Sequence, residues 1–353
     1  MRMLILSGKN ALQEQVSDIR PLEKTINEYM KFRADYQTLF CYYDAANDYE
    51  VTPVRKDAEA IRAYVSEIEE NVGEIDSLLL LGGDDVLPFF RLDNPCDDGD
   101  GNVLSDNPYA SRDNNYVIPE RICARIPDNK SVAFIKGLLT KDQHSSDDSA
   151  DSFGLTAEIW RRASENVYSP IGRPQDLKLS PPVTSALFEE EWLQDKDYLY
   201  FNVHGSKAAA NWYGQGGGEY PIAIKPDNIV KAAGVVASEA CYGANIIDKA
   251  ENDAICLKFL AEEGVRGFCG STTIAYGPAA PPSGEADLLI KYFFEYLEKG
   301  LTTGESLRNA KLDFARKALR RHGFLDDDDK KTLLQFVLYG DPTLRVRQNA
   351  MRV

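Results

Sequence analysis

Short apolar runs alternate along this chain with longer stretches in which apolar residues recur every three or four positions. Runs rich in Val, Leu, Ile, Tyr and Phe, bounded by Gly or charged residues, are typical of strands buried in a parallel sheet. They occupy residues 3–7, 39–43, 77–81, 198–203, 235–240 and 265–270. Helical periodicity marks residues 19–32, 56–71, 130–140, 155–168, 252–263, 285–299 and 305–321. This alternation predicts an α/β fold with a mostly parallel sheet flanked by helices.

The length of the chain favours more than one structural unit. Its 353 residues exceed the usual ~150 residues of one domain. A polar, low-complexity stretch, DQHSSDDSADS, follows the helix predicted at residues 130–140. We therefore expect two α/β subdomains, residues 1–150 and residues 151–353.

Two of the apolar runs end in residues that can carry chemistry. Residues 198–203 lead into His204 and Gly205, and residues 235–240 lead into Cys241. Functional residues of open α/β sheets gather at the carboxyl ends of strands, so this imidazole and thiol would share one sheet edge. An imidazole can take the proton of a thiol or stabilise the thiolate, which is the attacking form. The pair predicts a cysteine nucleophile with a histidine partner, and the amides of Gly205 and Cys241 are candidate oxyanion donors.

Five groups of short segments run in a fixed order along the chain. They are Ser105-Asp106-Asn107 with Ala124-Arg125-Ile126-Pro127, then His204-Gly205, Glu239-Ala240-Cys241, Gly270-Ser271-Thr272-Thr273 with Tyr276, and Tyr339-Gly340-Asp341-Pro342-Thr343-Leu344. Together they resemble the gingipain family, within the caspase, legumain and clostripain group of cysteine peptidases. The resemblance implies a caspase-like, doubly wound α/β fold and a cysteine-type endopeptidase with a Cys241–His204 dyad that requires no cofactor.

The resemblance also assigns residues to substrate binding. In the family an acidic residue at about the distance of Glu158 before the histidine forms the floor of a pocket for a substrate Arg or Lys. This implies a protein or peptide substrate cleaved after basic residues, with Asp151 as the substitute candidate. Tyr276 and Trp212 would wall the pocket, and Glu239 would support the end of its strand. The structural alternatives are a first-turn carboxylate that complements a helix dipole at Glu158 and simple packing of the aromatic rings.

One family feature is missing from the pattern. The family has a further apolar strand, ending in an acidic residue, between the helices predicted at residues 130–140 and 155–168, and no such run is visible. A third catalytic residue is therefore left open. A scaffold protein of the same fold and a cysteine hydrolase of small amides or thioesters are the alternatives to an endopeptidase.

A long acidic loop suggests a metal ion. Asp97, Asp98, Asp100 and Asn102 supply oxygen atoms around two glycines, and Ca²⁺ prefers six to eight oxygen ligands in a flexible loop. The spacing only partly follows an EF-hand loop, so a solvated acidic turn is the alternative. Calcium is nevertheless the one metal that the sequence predicts.

Composition limits the partners of the chain. The net charge of −16, from 40 basic and 56 acidic residues, argues against nucleic acids and anionic membranes, because both attract basic patches. The six cysteines contain no CxxC spacing, so neither a zinc site nor a disulfide framework is indicated. No apolar run approaches the ~20 residues of a membrane span, and the N-terminus does not resemble a signal peptide. We therefore expect a cytoplasmic protein, and a peptidase in that compartment also suggests a regulatory partner.

Overall fold

The computed structural model describes residues 1–33, 35–141 and 151–347. The strands are β1 (Arg2–Ser7), β2 (Gln37–Tyr42), β3 (Ser77–Leu81), β4 (Phe90–Asp93), β5 (Asn102–Ser105), β6 (Ile122–Ile126), β7 (Ser152–Ala157), β8 (Lys178–Ser180), β9 (Tyr198–Asn202), β10 (Trp212–Tyr213), β11 (Ile222–Ile224), β12 (Ala233–Ser238), β13 (Gly264–Ser271) and β14 (Phe336–Gly340). The helices are α1 (Lys9–Val16), α2 (Arg20–Phe32), α3 (Ala58–Val72), α4 (Asn107–Ala110), α5 (Val132–Leu139), α6 (Arg161–Tyr168), α7 (Ile255–Ala261), α8 (Glu285–Glu298), α9 (Thr303–His322) and α10 (Asp327–Gln335).

One ten-stranded sheet runs through both halves of the chain, in the order β2-β1-β3-β6-β14-β13-β12-β9-β7-β8. Neighbouring strands of this sheet are parallel except for β13 and β14, which are antiparallel. The sheet therefore consists of two parallel halves that run in opposite directions and meet at the β13–β14 pair. The carboxyl ends of β7, β9 and β12 lie at one edge, which we call the catalytic edge, and those of β1, β3 and β6 lie at the other.

Side-chain alternation explains why helices cover both faces of the sheet. On β1, Met3 and Ile5 belong to a core that includes residues of α1 and α2, whereas Leu4 and Leu6 belong to a second core with residues of α3. Successive side chains of a strand point to opposite faces, so a strand covered on both sides reads as a continuous apolar run. This confirms the predicted fold class.

The stretch from residue 155 to residue 168 is not one helix, as the sequence pattern suggested. Its first residues belong to β7, which pairs with β9 in parallel, and a short 3₁₀ turn at Glu158–Trp160 precedes α6. The helical periodicity of α6 masked the strand, because β7 is short and interrupted by Gly154. The further strand ending in an acidic residue, missing from the sequence pattern, is therefore β7 followed by Glu158.

Two buried ion pairs explain segments that resembled the family but lie away from the predicted dyad. Arg125 of β6 donates to Asp106 at 2.5 Å and 3.0 Å, and both side chains are buried. Arg33, at the end of α2, donates to Asp341 at 2.7 Å just beyond β14. Tyr29 donates to the other oxygen of that carboxylate at 2.9 Å. These acidic residues hold the fold together and do not line the predicted site.

The predicted boundary near residue 150 falls in residues 142–150, outside the described part of the chain, and stays a prediction. None of the described helices is both long and apolar enough to cross a membrane.

Candidate active site

The predicted dyad lies at the catalytic edge. Strands β9 and β12 are parallel neighbours, with Phe201 beside Ser238 near their carboxyl ends. His204 follows the end of β9 and Cys241 follows the end of β12, so the chain delivers both residues to the same place. Both side chains line one cleft at this edge, and Cys241 is partly exposed to solvent.

The backbones beside the two residues touch. A Cβ atom added to Gly205 would lie 1.9 Å from the carbonyl oxygen of Cys241, so a side chain at position 205 would separate the two strand ends. Within the described part of the chain, neither the Gly205 amide nor the Cys241 amide donates to a backbone carbonyl. Both amides therefore stay available to a developing oxyanion. The next residue, Tyr242, has a φ of 56°, a left-handed conformation that is uncommon for a bulky residue and found often at functional sites.

The environment of the Cys241 thiol acts on its pKa in two directions. Burial raises the pKa, because a desolvated thiolate is less stable, and a hydrogen bond from the backbone of Ala275 partly offsets this effect. The Ala275 amide lies 3.4 Å from Sγ. The thiol therefore needs a base or a cation beside it to form the attacking thiolate at neutral pH.

The imidazole of His204 is held from three sides. Its Nε2 lies 2.7 Å from Oε1 of Gln215. The ring centroids of Trp160 and Tyr220 lie 4.4 Å and 5.5 Å from that of the imidazole. Aromatic packing of this kind restricts ring rotation, so one ring nitrogen is occupied by Gln215 and the other, Nδ1, is left for chemistry.

Two buried carboxyl groups line the same cleft as Cys241 and His204. Glu239 follows β12, and Asp287 lies in the first turn of α8 with 1% of its surface exposed. Tyr200 donates to Glu239 at 3.0 Å. No N–H or O–H group of the described residues donates to either oxygen of Asp287, whose neighbour is the Glu239 carboxyl. Burial, followed by the repulsion and hydrogen bonding between the two groups, raises the pKa of Glu239, and burial also raises that of Asp287.

Of the four residues that the sequence suggested for substrate binding, one lines the cleft that contains Cys241 and three do not. Tyr276 lines the cleft. Trp212 does not wall it, because its ring is buried in the core against Phe201, with centroids 5.5 Å apart. Asp151 precedes β7, at the edge opposite the catalytic edge, and pairs with Lys196 at 2.8 Å.

Glu158 is also outside the cleft. Its carboxylate packs over the backbone of Gly216, where an added Cβ would lie 2.0 Å from Oε2. The residue is exposed and is absent from the side chains that line the Cys241 cleft. The pocket-floor role that the resemblance suggested for Glu158, and for Asp151 as its substitute, is therefore not supported by the structure.

The acidic loop predicted to bind calcium is instead held by a lysine. Lys331 of α10, whose side chain is fully buried, forms ion pairs with Asp98 and, at 2.8 Å, with Asp100. Asp97 and Asn102 are exposed. Among the described residues no group of three or more His, Cys, Asp or Glu side chains is arranged to hold a metal ion. An internal ammonium group therefore neutralises two of these carboxylates, and calcium binding by the loop stays a prediction that these contacts do not support.

The acidic loop contacts the residues next to the thiol. Tyr242 donates to Asp100 at 2.6 Å, and the amide of Ile274 donates to the same carboxylate at 2.8 Å. Tyr276 donates to Asp98. The loop after β13 and the turn that follows the thiol are thus fixed to one buried cluster.

Three residues of the site were missed at the sequence level: Trp160, Gln215 and Asp287. Trp160 and Gln215 lie in turns whose contacts depend on tertiary structure, and no spacing rule indicates them. Asp287 did carry a signal, because it is an acidic residue inside the apolar run Ala-Asp-Leu-Leu-Ile of α8. A buried acidic residue on such a helix face requires a partner.

Comparisons with known proteins agree with this geometry. Residues 203–347, which include both members of the dyad, match the model of Peptidase family C25. This match covers the part of the chain that carries the dyad and supports a gingipain-type cysteine peptidase. Among curated proteins none matches the sequence.

Solved structures share the fold of this chain. The complex of Porphyromonas gingivalis RgpB pro- and mature domains is 15% identical, with a TM-score of 0.69, over 99% of this chain and 80% of that one. The Arg-specific cysteine proteinase gingipain R (RgpB) is 16% identical, with a TM-score of 0.67, over 99% and 78% of the two chains. A structure described only as a protease is 14% identical, with a TM-score of 0.65, over 98% and 78%. The solved structures confirm the predicted caspase-like α/β fold. The family match over residues 203–347 supports the predicted gingipain-type family and cysteine-type endopeptidase activity.

Proposed function

We propose that this peptidase cleaves protein or peptide substrates after Arg or Lys, with Cys241 as nucleophile, His204 as proton carrier and the Glu239–Asp287 pair as the binding site for the basic side chain. The observation that carries the proposal is Asp287, a buried acidic residue with no donor of its own, in the same cleft as the thiol. Gingipain R, which has the same fold, is an Arg-specific cysteine proteinase, and this supports the same preference.

The mechanism assigns one role to each group. The proton of the Cys241 thiol passes to the ring of His204, and the thiolate attacks the carbonyl carbon, so that an S–C bond forms and negative charge moves to the oxygen. The amides of Gly205 and Cys241 stabilise that oxygen. When the tetrahedral species collapses, the C–N bond breaks and the ring returns its proton to the leaving amine. Water then hydrolyses the acyl-enzyme by the same path.

A basic substrate side chain would neutralise the two buried carboxyl groups of the cleft. Two buried carboxyl groups without a cation destabilise each other, and each is more stable when protonated. An entering guanidinium or ammonium group supplies both the missing charge and the missing donors, and charge-assisted hydrogen bonds of this kind are the stronger class. Tyr276 can pack against the aliphatic part of the side chain. The pocket therefore favours a long cationic residue over a neutral or acidic one.

A panel of peptides that differ only in the residue before the cleaved bond tests the proposal. We expect measurable kcat/KM for Arg and Lys, and little for Gln and Asp at the same position. Cys241→Ala should lower the rate by about 10⁴-fold or more, since loss of one member of a catalytic unit has effects of this order.

The variant Asp287→Asn tests the role of the pocket independently of the dyad. Loss of one partner of a buried charged contact costs about 2–4 kcal/mol, or about 30- to 1,000-fold in kcat/KM for Arg peptides. Alkylation of Cys241 by iodoacetamide should be little changed, because the dyad is intact. Glu295→Gln, an acidic residue farther along α8, is the matched control. Equal cleavage after Arg and Gln, or an unaffected Arg rate in Asp287→Asn, would exclude the pocket; an active Cys241→Ala enzyme would exclude the mechanism.

A further inference from the structure

Gln215 makes the hydrogen bond that a third catalytic residue would be expected to make. Its Oε1 lies 2.7 Å from Nε2 of His204, and its Nε2 donates to the hydroxyl of Tyr220 at 2.5 Å. An amide oxygen accepts hydrogen bonds and cannot donate them. The ring nitrogen that faces Gln215 therefore carries the proton, and the opposite nitrogen, Nδ1, holds a free lone pair.

The backbone around Gln215 is fixed on both sides. Its own amide donates to the carbonyl of Ser180 at 3.0 Å, and its carbonyl accepts from the amide of Ile159 at 3.2 Å. Ser180 is the last residue of β8, and Ile159 lies in the 3₁₀ turn that follows β7. The next residue, Gly216, lies against Glu158, which leaves no room for a side chain. A side chain supported in this way can fix the direction of its partner.

The backbone of His204 is hydrogen-bonded to β10, the strand that ends two residues before Gln215. His204 and Tyr213 exchange two backbone hydrogen bonds of 2.8 Å each. His204 is therefore paired through its backbone with Tyr213, and Gln215 follows Tyr213 by two residues in the same segment. Relative motion of the ring and Gln215 is restricted by this link.

We propose that Gln215 is the positioning residue of the dyad, which holds His204 in the tautomer with the proton on Nε2 so that Nδ1 faces the thiol. This inference rests on the proposed function, because it needs His204 to be the proton carrier. It fills the role that the sequence left open, with a neutral amide instead of a carboxylate. A neutral acceptor selects the tautomer without adding a full charge beside the ring, so its contribution is orientation.

The tautomer can be read directly by ¹⁵N nuclear magnetic resonance on protein labelled at histidine. At pH 8 to 8.5, above the ordinary imidazole pKa of about 6.5, the two ring nitrogens have distinct shifts according to which one is protonated. The chain has three histidines, and His204→Gln identifies the signals of His204. We expect the Nε2-protonated form in the parent protein and a mixture of both forms in Gln215→Leu. This readout does not depend on activity.

Kinetics of matched variants provide the second readout. Gln215→Leu should lower kcat by about 10- to 100-fold with KM changed less than about threefold, since general acid–base contributions are commonly about 10²–10⁴-fold and part of the orientation survives through Trp160. Gln215→Glu keeps an acceptor and should retain more of kcat than Gln215→Leu does. Gln175→Leu, an exposed glutamine, is the control for the substitution itself.

The possible outcomes separate this inference from the proposed function. A proton on Nδ1 in the parent protein overturns the tautomer assignment even if the enzyme cleaves after Arg. An unchanged kcat in Gln215→Leu, or a larger loss in Glu158→Gln than in Gln215→Leu, would overturn the role of Gln215. Failure of the substrate panel with the expected tautomer present would reject the specificity and leave the positioning intact.

Discussion

Two pairs of acidic residues with little exposed side-chain surface lie at the catalytic edge and differ in one respect. Asp98 and Asp100 share the ammonium group of Lys331, which has no exposed side-chain surface. Among the described residues, Glu239 and Asp287 have no cationic partner, and Asp287 has no hydrogen-bond donor. Both pairs have little contact with solvent, yet within this part of the chain a cation neutralises the first pair and not the second.

The two pairs respond to pH with opposite signs. Burial alone would raise the pKa of Asp98, but hydrogen bonds from Lys331 and Tyr276 more than offset it and hold the pKa below the ordinary value. Asp98 therefore stabilises the fold at neutral pH and loses its contribution as the pH falls. Burial raises the pKa values of Glu239 and Asp287, so their contribution is present in acid and is lost as the pH rises.

The difference shows what each pair does. A carboxylate that meets its cation inside the protein fixes structure, and here it fixes the loops on either side of the thiol. A carboxyl pair that the fold leaves without a cation decreases stability until a ligand supplies one. Such a cost at an active site is a common exchange of stability for function.

The largest effect is expected when the neutralised pair is broken. Lys331→Met keeps the length of the side chain and removes the charge, which leaves two buried carboxylates uncompensated. Removal of one partner from a buried ion pair costs about 3–5 kcal/mol. We expect a loss of this size in the free energy of unfolding, measured by urea denaturation at pH 7.

The neighbouring lysine is the matched control for this variant. Lys330 is partly exposed and pairs with the exposed Asp327 at 2.9 Å, so Lys330→Met should change stability by less than about 1 kcal/mol. Equal effects of the two substitutions would mean that the buried ion pairs do not hold the loop. A rise in melting temperature of the parent protein on addition of Ca²⁺, reversed by EGTA, would support the calcium prediction.

A smaller effect of opposite sign is expected when the unneutralised pair is relieved. Asp287→Asn removes one of the two carboxyl groups and adds a donor toward Glu239. Since burial raises the pKa of Asp287 to about 6, the variant should gain about 1–3 kcal/mol of stability at pH 8. The gain should shrink as the pH falls from 7 toward 4, because the parent pair becomes protonated. Melting temperatures measured across this range check the trend.

Glu295→Gln on the same helix should show no such pH-dependent gain. If Asp287→Asn were less stable than the parent protein at pH 8, the pair would have an internal cation or donor that compensates it. That result would remove the contrast between the two acidic pairs.

Much of this arrangement could be predicted from local sequence. His204 and Cys241 each follow an apolar run, and a parallel sheet brings the carboxyl ends of neighbouring strands together. Six of the ten strands of the main sheet were visible because burial on both faces leaves apolar runs, whereas β6, β7, β8 and β14 were not predicted. Of these four, β7 was absorbed into the periodicity of α6. Its short strand became recognisable only through its pairing with β9.

The partners of the acidic residues could not be predicted in this way. Lys331 lies 231 residues from Asp100 in sequence, and only the fold decides whether a lysine or a metal ion meets the acidic loop. Asp287 and Glu239 come from different elements for the same reason. Cytoplasmic location and a regulatory partner depend on features outside the fold and stay predictions.

The smallest change in stability and activity is expected at Tyr276, which contacts the Asp98–Asp100 pair and lines the cleft that contains Glu239 and Asp287. Its hydroxyl donates to Asp98 and its ring lines the cleft. Tyr276→Phe removes only the hydroxyl, and Asp98 keeps Lys331 and a hydrogen bond of 2.9 Å from Asn94, so stability should fall by about 1 kcal/mol. Because the ring remains, kcat/KM for Arg peptides should change less than about threefold. A large loss of activity with unchanged stability would place the hydroxyl in the chemistry of the cleft and not in the support of its wall.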